Sequence, residues 1–299
     1  MLRAEEDALA EEFEAHRAHL LGLGYRMLGS IGEAEDAVQE AWLRFRRADR
    51  ASIRDPRAFL SRVVARLCLE AMRAARTRRA AYVGPWLPDP VVDPALSEGT
   101  AGELAADLST GLMLALERLS PLERAAFLLH DVFDLGFDEL AAVLGRSEAA
   151  CRQLAARARA HVRAARPRFE LPDDGGAAIL QAFLEAARSG DPRRLAALLA
   201  EDVELHTDGG GRRRAALRVI VGRDRVARGI AGILRKFAEP VVETRPLRIG
   251  GLPGVLTRFA DGGLQTTALG IVGERICAIY VVRNPEKLRH LGDGAGGAP

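Results

Sequence analysis

Two proline- and glycine-rich breaks constrain this chain most, because they cut it into three parts that cannot share one continuous helix or sheet. The first, Tyr82 to Gly102, contains Pro85, Pro88, Pro90 and Pro94 with Gly84, Gly99 and Gly102. Proline lacks an amide donor and fixes φ, so this run disfavours helix and central strand alike and reads as a linker. The second break places Pro167 and Pro172 before Asp173-Asp174-Gly175-Gly176. A length of 299 residues suits two or three compact units, and a hydrophobic content of 48% lets each bury a core. The expected divisions are residues 1–81, a linker at 82–105, residues 106–167, residues 174–288 and a flexible tail at 289–299.

The three parts differ in periodicity. Residues 9–80 hold Ala, Leu and Arg throughout, with few breakers besides Gly22, Gly24, Gly29, Gly32 and Pro56, which predicts an all-α unit. Helical spacing resumes near Glu103 and runs to about Arg166, giving a second, smaller all-α unit. Beyond the second break come two helices at about 176–189 and 192–199, a short strand at Val203 to Thr207 and a helix near 223–237. β-rich runs follow at Val241 to Ile249, Val255 to Phe259, Leu264 to Val272 and Arg275 to Val282. Helices followed by a run of strands predict an α+β domain with a curved antiparallel sheet.

Cys68, Cys151 and Cys277 are far apart and form neither a CxxC pair nor a Cys/His cluster at ligand spacing. They are expected to be buried free thiols, and neither a metal nor another cofactor is implied. No stretch approaches the roughly 20 apolar residues of a membrane span. The acidic start MLRAEEDALAEEFEAH lacks a signal-peptide pattern, so a cytoplasmic protein with no membrane partner is expected.

The formal net charge of +2 conceals two basic segments. Residues 44–79 hold twelve arginines against Asp49, Asp55 and Glu70, and residues 146–168 hold seven against Glu148. The second segment lies in a pattern of its own. Leu140, Val143 and Leu144 define a short helix, Gly145 suits the left-handed position that ends it, and Ser147 suits the cap of the next. In that next helix Cys151, Leu154, Ala155, Ala158 and Val162 form one buried stripe, and Arg152, Gln153, Arg157 and Arg163 occupy the other face. A short helix, a Gly turn and a helix exposing Arg and Gln is helix-turn-helix geometry. Arg pairs bidentately with guanine and Gln with adenine in the major groove, while Arg146, Arg159 and Arg166 are placed to neutralise phosphates. A helical hairpin with a solvated basic face has the same pattern.

In the first unit, Ala34, Ala37, Val38, Ala41 and Trp42 form an inward stripe, so Asp36, Gln39, Glu40 and Leu43 face outward together. This acidic patch suits a basic protein surface, or plain solvent. Arg44, Arg46, Arg47, Arg50, Arg54 and Arg57 follow around an expected loop, interleaved with Trp42, Phe45 and Phe59, of which Trp42 and Phe59 are assigned to the core. The next helix adds Arg62, Arg66, Arg73, Arg76, Arg78 and Arg79. Arginines with aromatics suit single-stranded DNA, whose backbone needs positive charge and whose bases need stacking or a pocket.

With these residues in view, the chain resembles the extracytoplasmic-function sigma factors of the sigma-70 superfamily. Tyr25-Arg26-Met27-Leu28-Gly29-Ser30 through Asp36 to Arg44 is similar to region 2.1 to 2.2, and Pro56-Arg57-Ala58-Phe59-Leu60 through Arg79 to regions 2.3 to 2.4. Leu119-Ser120-Pro121-Leu122-Glu123-Arg124 with the helix-turn-helix is similar to region 4. The resemblance implies core RNA polymerase and promoter DNA as partners. It puts Asp36, Gln39, Glu40 and Leu43 on the polymerase clamp helices, the arginines from Arg44 to Arg76 on the melted minus-ten element, and Arg146, Ser147, Arg152, Gln153 and Arg157 on the minus-thirty-five duplex.

The last third resembles the SnoaL-like domain, a cone-shaped α+β barrel related to ketosteroid isomerases. Three elements resemble signatures of the sigma factors fused to it: Trp86-Leu87-Pro88-Asp89-Pro90, Asp208-Gly209-Gly210-Gly211-Arg212 and Asn284-Pro285-Glu286-Lys287-Leu288, with Arg212 where lysine is commoner. The resemblance implies regulation in cis, with no separate anti-sigma factor. From the residues alone these elements also read as a stiff spacer, a Gly-rich hairpin turn and a strand exit. The cone could hold a small apolar ligand, and His206, Asp208 or Asp261 could serve as general base. Fold does not fix function, and spacing in the sequence alone places no second titratable partner in one pocket with any of them, so an enzyme is not expected.

Overall fold

The computed structural model describes residues 2–80, 82–92, 109–165, 169, 176–237 and 239–292, with the backbone alone at 2–5, 52, 75–80 and 165. The chain forms two compact units, Met1–Ala80 with Leu112–Arg166, and Ala81–Gly111 with Pro167–Pro299.

The first unit is all-α. α1 (Leu2–Leu28) stops at Gly29, which adopts φ 69°, and Ser30 caps α2 (Ile31–Arg47). Asp55 accepts from the amide of Ala58 at the start of α3 (Pro56–Ala80), where Pro56 loses nothing by lacking an N–H. These three helices pack together over Leu20, Leu23, Met27, Val38, Phe45, Leu60 and Val64, all essentially inaccessible. Cys68 is buried among them, and burial pushes its thiol up to about 12. The second helical module runs through α4 (Thr110–Glu117), α5 (Pro121–Phe127), a π-helical turn (Leu128–Val132), α6 (Phe137–Leu144) and α7 (Glu148–Ala165). A reciprocal capping box between Ser120 and Glu123 starts α5, and the Ser120 hydroxyl holds the Glu123 carboxyl below its ordinary range.

The second unit is α+β. α8 (Ala177–Ser189), α9 (Pro192–Leu198) and α10 (Arg223–Lys236) cover a six-stranded sheet in the order β2-β1-β6-β5-β4-β3. Its strands are β1 (Leu199–Asp208), β2 (Ile220–Val221), β3 (Val241–Ile249), β4 (Leu252–Phe259), β5 (Leu264–Val272) and β6 (Arg275–Val282). The sheet is antiparallel except where β1 runs parallel to β6, an exception to the all-antiparallel expectation. α10 and four further strands separate β1 from β6, so the chain can return in the same direction. Leu180, Phe183, Leu195, Leu199, Val203, Val226, Leu269, Ile271 and Ile279 pack the interior between helices and sheet. A last helix, α11 (Pro285–Gly292), follows β6.

Residues 82–92 are not a free spacer. Leu87, Pro88, Asp89 and Pro90 are buried in the second unit, Val92 bridges Ile249 in antiparallel fashion, and Gly250 donates its amide to the Val91 carbonyl. Residues 93–105 of the expected linker and 293–299 of the expected tail lie outside the described residues.

Candidate functional site

The helix-turn-helix follows its sequence pattern closely. Gly145 sits at φ 63°, a conformation that costs a residue with a side chain about 1 kcal/mol or more, and the Ser147 hydroxyl accepts from the amide of Ala150. Cys151, Leu154, Ala155, Ala158 and Val162 are buried, while Arg146, Ser147, Arg152, Gln153, Arg157 and Arg163 are exposed on α6–α7. Arg152 is steadied by Glu148 at 2.7 Å and lies over the Phe137 ring at 5.2 Å. Arg159 is tied to Asp131 at 2.7 Å, and Arg166 lies outside the described residues.

On α2, Asp36, Gln39 and Leu43 are exposed side by side, and Glu40 pairs with Arg44 at 2.9 Å. The aromatic residues beyond them close into one cluster: Phe13–Trp42 at 5.0 Å, Phe13–Phe45 at 6.4 Å and Phe45–Phe59 at 6.1 Å. Phe45 is the fully buried member, and Trp42 and Phe59 are only half-buried. Arg46 pairs with Glu6 and Arg50 with Glu12, both on α1. Arg47, Arg54, Arg57, Arg66 and Arg73 are exposed; the side chain of Arg76, like those of Arg78 and Arg79, lies outside the described residues.

The two helical modules of the first unit also bind each other. Arg62 donates to Glu139 at 2.6 Å and Arg66 to the Ala142 carbonyl at 2.9 Å, so two arginines of the expected minus-ten surface rest on α6 of the helix-turn-helix. Arg124, fully buried, donates Nε to the Arg26 carbonyl at 2.8 Å and pairs with Glu117 at 2.5 Å. Sequence reasoning gave Arg124 no role, since its burial depends on a partner 98 positions away.

His19 is a second group at this contact. It meets the Phe133 ring edge-on at 4.9 Å, bonds Ser61 Oγ at 3.0 Å and receives Arg57 at 3.1 Å. Burial first, then the neighbouring Arg57 charge, pull its ring from 6.5 down to about 4. An unfolded chain takes up this proton near pH 6.5, so the stability contributed by a neutral His19 is complete above that pH and is lost as pH falls toward 4. His19→Gln is therefore expected to flatten the stability profile across this window. Denaturant melts at stepped pH measure it, and identical profiles would clear His19 as the cause.

In the second unit the three short elements meet at one buried carboxylate. Asp208, at 0% exposure, ends β1. Its Oδ1 accepts from Tyr82 Oη at 2.5 Å and the Gly210 amide at 3.1 Å. Its Oδ2 accepts from the Leu87 amide at 2.9 Å and Lys287 Nζ at 2.9 Å. All four acceptor sites of the carboxylate are thereby used. Lys287 also donates to the Leu87 carbonyl and lies 3.9 Å from the Trp86 ring centroid, a desolvated cation–π contact. Asn284 donates to Tyr82 Oη at 3.0 Å, and its Oδ1 accepts from the Glu286 amide, which makes Asn284 the cap and Pro285 the first residue of α11. Gly210 is at φ 59°, and a Cβ there would strike the Asn284 amide at 2.3 Å. Arg212 and Glu286 pair on the exposed rim, and His290 bonds the Pro90 carbonyl at 2.9 Å.

Of the three candidate bases, Asp208 is thus engaged by Tyr82, Leu87, Gly210 and Lys287. His206 bonds Glu204 at 2.8 Å and lies against Tyr280, and Asp261 is in an exposed turn where Arg213 holds its carboxyl below the ordinary range.

Residues 13–78 match the family Sigma-70 region 2, residues 110–162 match Sigma-70, region 4, and residues 180–289 match the SnoaL-like domain. The chain is 39% identical to the ECF RNA polymerase sigma factor SigJ of Mycobacterium tuberculosis, over 92% of each sequence. It is 33% identical to the probable ECF RNA polymerase sigma factor SigI of that organism, over 98% of this chain and 99% of the relative. The crystal structure of SigJ superposes with a TM-score of 0.73 at 34% identity, covering 94% of this chain and 98% of the other. The two helical modules and the sheet domain thus define a sigma-70-type transcription factor with a fused SnoaL-like domain. The chain belongs to the ECF RNA polymerase sigma factors, which act in transcription initiation.

Proposed function

We propose that this sigma factor reads its promoter through α7 and the arginines of α2–α3, docks on core RNA polymerase through Asp36, Gln39, Glu40 and Leu43, and is regulated in cis by its C-terminal domain. The observation that carries the reading is the exposed face of α7. Arg152, Gln153 and Arg157 project from a helix fixed by a left-handed glycine and a serine cap, the geometry needed to place side chains at base edges in the major groove. Arg44, Arg46, Arg47, Arg50, Arg54, Arg57, Arg62, Arg66, Arg73 and Arg76 supply charge along the opened minus-ten strand.

Run-off transcription with purified core polymerase over a promoter library tests the whole. Arg152→Ala is expected to cost ~1–3 kcal/mol at one promoter position. A loss equal across all sequences would make Arg152 a phosphate contact instead.

Two features support regulation in cis. Minus-ten and minus-thirty-five elements lie about 85 Å apart along B-form DNA at 3.4 Å per base pair, whereas Arg62 and Arg66 are held directly against α6. Reading both elements requires these modules to part. The tether segment 82–92, moreover, is fastened by Asp208, Asn284 and Lys287, which shortens the chain free to span the separation. Ending the chain near Asn284 removes Lys287 and is expected to change promoter affinity and transcript yield; full-length values in both would count against the clasp. We assign no catalysis to this domain. Its apolar interior, packed by Phe183, Leu195, Leu269 and Ile279, supports a structural core over a ligand chamber.

A further inference from the structure

The C-terminal domain carries a basic segment of its own. Residues 211–250 hold eleven Arg and Lys residues against Asp224, Glu239 and Glu243, a balance of +8, comparable with the two segments assigned to promoter contact. Many of these cations are spoken for: Arg212 by Glu286, Arg213 by Asp261, Arg223 by Glu201. On the outer face of α10, Lys236 lies over the Phe237 ring at 5.4 Å, and three arginines carry no carboxylate partner among the described residues. At 100° per residue, Arg225, Arg228, Gly229, Gly232, Arg235 and Lys236 fall within an arc of about 120°, opposite the buried Val226, Ala227 and Ala231. All four cations are exposed, and among the described residues Arg225, Arg228 and Arg235 make no ion pair.

The glycines sharpen the picture. Each costs a helix interior about 1 kcal/mol relative to alanine, yet nothing lies within 4 Å of a Cβ built on Gly232, and Gly229 has only Ile220 at 3.7 Å. Packing does not demand them. They keep the middle of the stripe low, between cations that span about 16 Å at 1.5 Å per residue. That length matches the axial run of about five phosphates on one strand at 3.4 Å each. At its N-terminal end the stripe borders an open cleft of about 500 Å³ lined by Arg223, Arg225 and Arg228 together with the carboxylates of Glu201 and Asp224.

We propose that α10 is a third DNA-contacting element, in which Arg225, Arg228, Arg235 and Lys236 bind the phosphate backbone of promoter duplex without reading its sequence. Duplex DNA is favoured over a membrane because the stripe itself has no long apolar side chain to insert: at the same 100° per residue, exposed Ile233 falls beyond its edge and Leu234 on the opposite face, and Phe237 follows the end of the helix. DNA is also the polyanion that a sigma factor already holds, so once α3 and α7 engage, phosphates reach α10 at high effective concentration.

The test uses holoenzyme containing the full chain, a labelled promoter duplex, and salt varied from about 50 to 200 mM. The triple variant R225Q/R228Q/R235Q is expected to bind roughly tenfold more weakly at low salt, equally on every promoter, and to lower the slope of log K against log salt by about 2–3. R225K/R228K/R235K should restore the slope, because a phosphate contact accepts either cation. R188Q/R193Q/R194Q removes the same charge from exposed positions on α8 and α9 and should leave the slope unchanged. An unchanged slope in the stripe variant overturns the proposal, as does an equal effect from the control triple. Retained DNA binding with lost sedimentation on phosphatidylglycerol vesicles would also overturn it and make the stripe a lipid contact. Wild-type holoenzyme reports separately on the promoter reading itself.

Discussion

Asp208→Ala is expected to destabilise the second unit by ~3–5 kcal/mol, the usual cost of leaving one member of a buried ion pair uncompensated. Lys287 has little access to water where it sits, with a side chain 8% exposed between Asp208, the Leu87 carbonyl and the Trp86 ring. Loss of the carboxylate also strands the Leu87 amide and the Tyr82 hydroxyl. Burial and the Asp208 hydrogen bond already raise the Tyr82 pKa, so the phenol remains a donor throughout the physiological range. The consequence should be local before it is global: amide exchange at Leu87 rises, and protease cuts within 82–92 at concentrations that leave the parent protein intact. Asp208→Ala combined with Lys287→Met removes both charges and should recover most of the loss. Equal melting points for the single and double variants would show that the ion pair does not hold the clasp.

The parts of this molecule that were legible in its sequence are those specified locally. The turn at Gly145, the Ser147 cap and the buried stripe from Cys151 to Val162 depend on residues within a few positions of each other, and they fold accordingly. β3, β5 and β6 match their β-rich runs for the same reason. β2 is only two residues long, too short for any periodicity to register. Asn284-Pro285 did carry a readable signal, a helix cap followed by proline at the first helical position. Its reading as a strand exit overlooked α11, the helix that brings Lys287 to Asp208.

Other features were out of reach because they are made by distant partners. Nothing around Tyr82 announces a hydrogen bond to a residue 126 positions on. The run of prolines was a sound reason to exclude helix and central strand, but it says nothing about whether the extended chain is solvated or fastened to a neighbouring domain. The aromatic assignment shows the same limit. Phe45 is the core residue and Trp42 is half-buried, because Phe13 on α1 closes over both and no pattern within α2 encodes its approach.

Arg124→Met should be the most disruptive single change in the first unit, costing about 3 kcal/mol or more. Arg124 is a buried cation that holds two groups at once, the Glu117 carboxylate within its own module and the Arg26 carbonyl on α1. Methionine fills the space but offers no donor, so the Arg26 carbonyl loses its partner and Glu117 loses its counter-charge. Arg124→Lys keeps the charge, yet a single ammonium cannot reproduce the fixed fork that reaches both acceptors, and it should recover only part of the loss. The informative readout is the distance between dyes at Gln39 on α2 and Gln153 on α7, both exposed. If Arg124 fastens the two modules, this distance lengthens at denaturant concentrations that leave far-UV ellipticity unchanged. A lower melting point with an unaltered distance would mean that Arg124 serves only the second module, and that separation of the promoter-reading surfaces is governed by Arg62, Arg66 and their partners on α6.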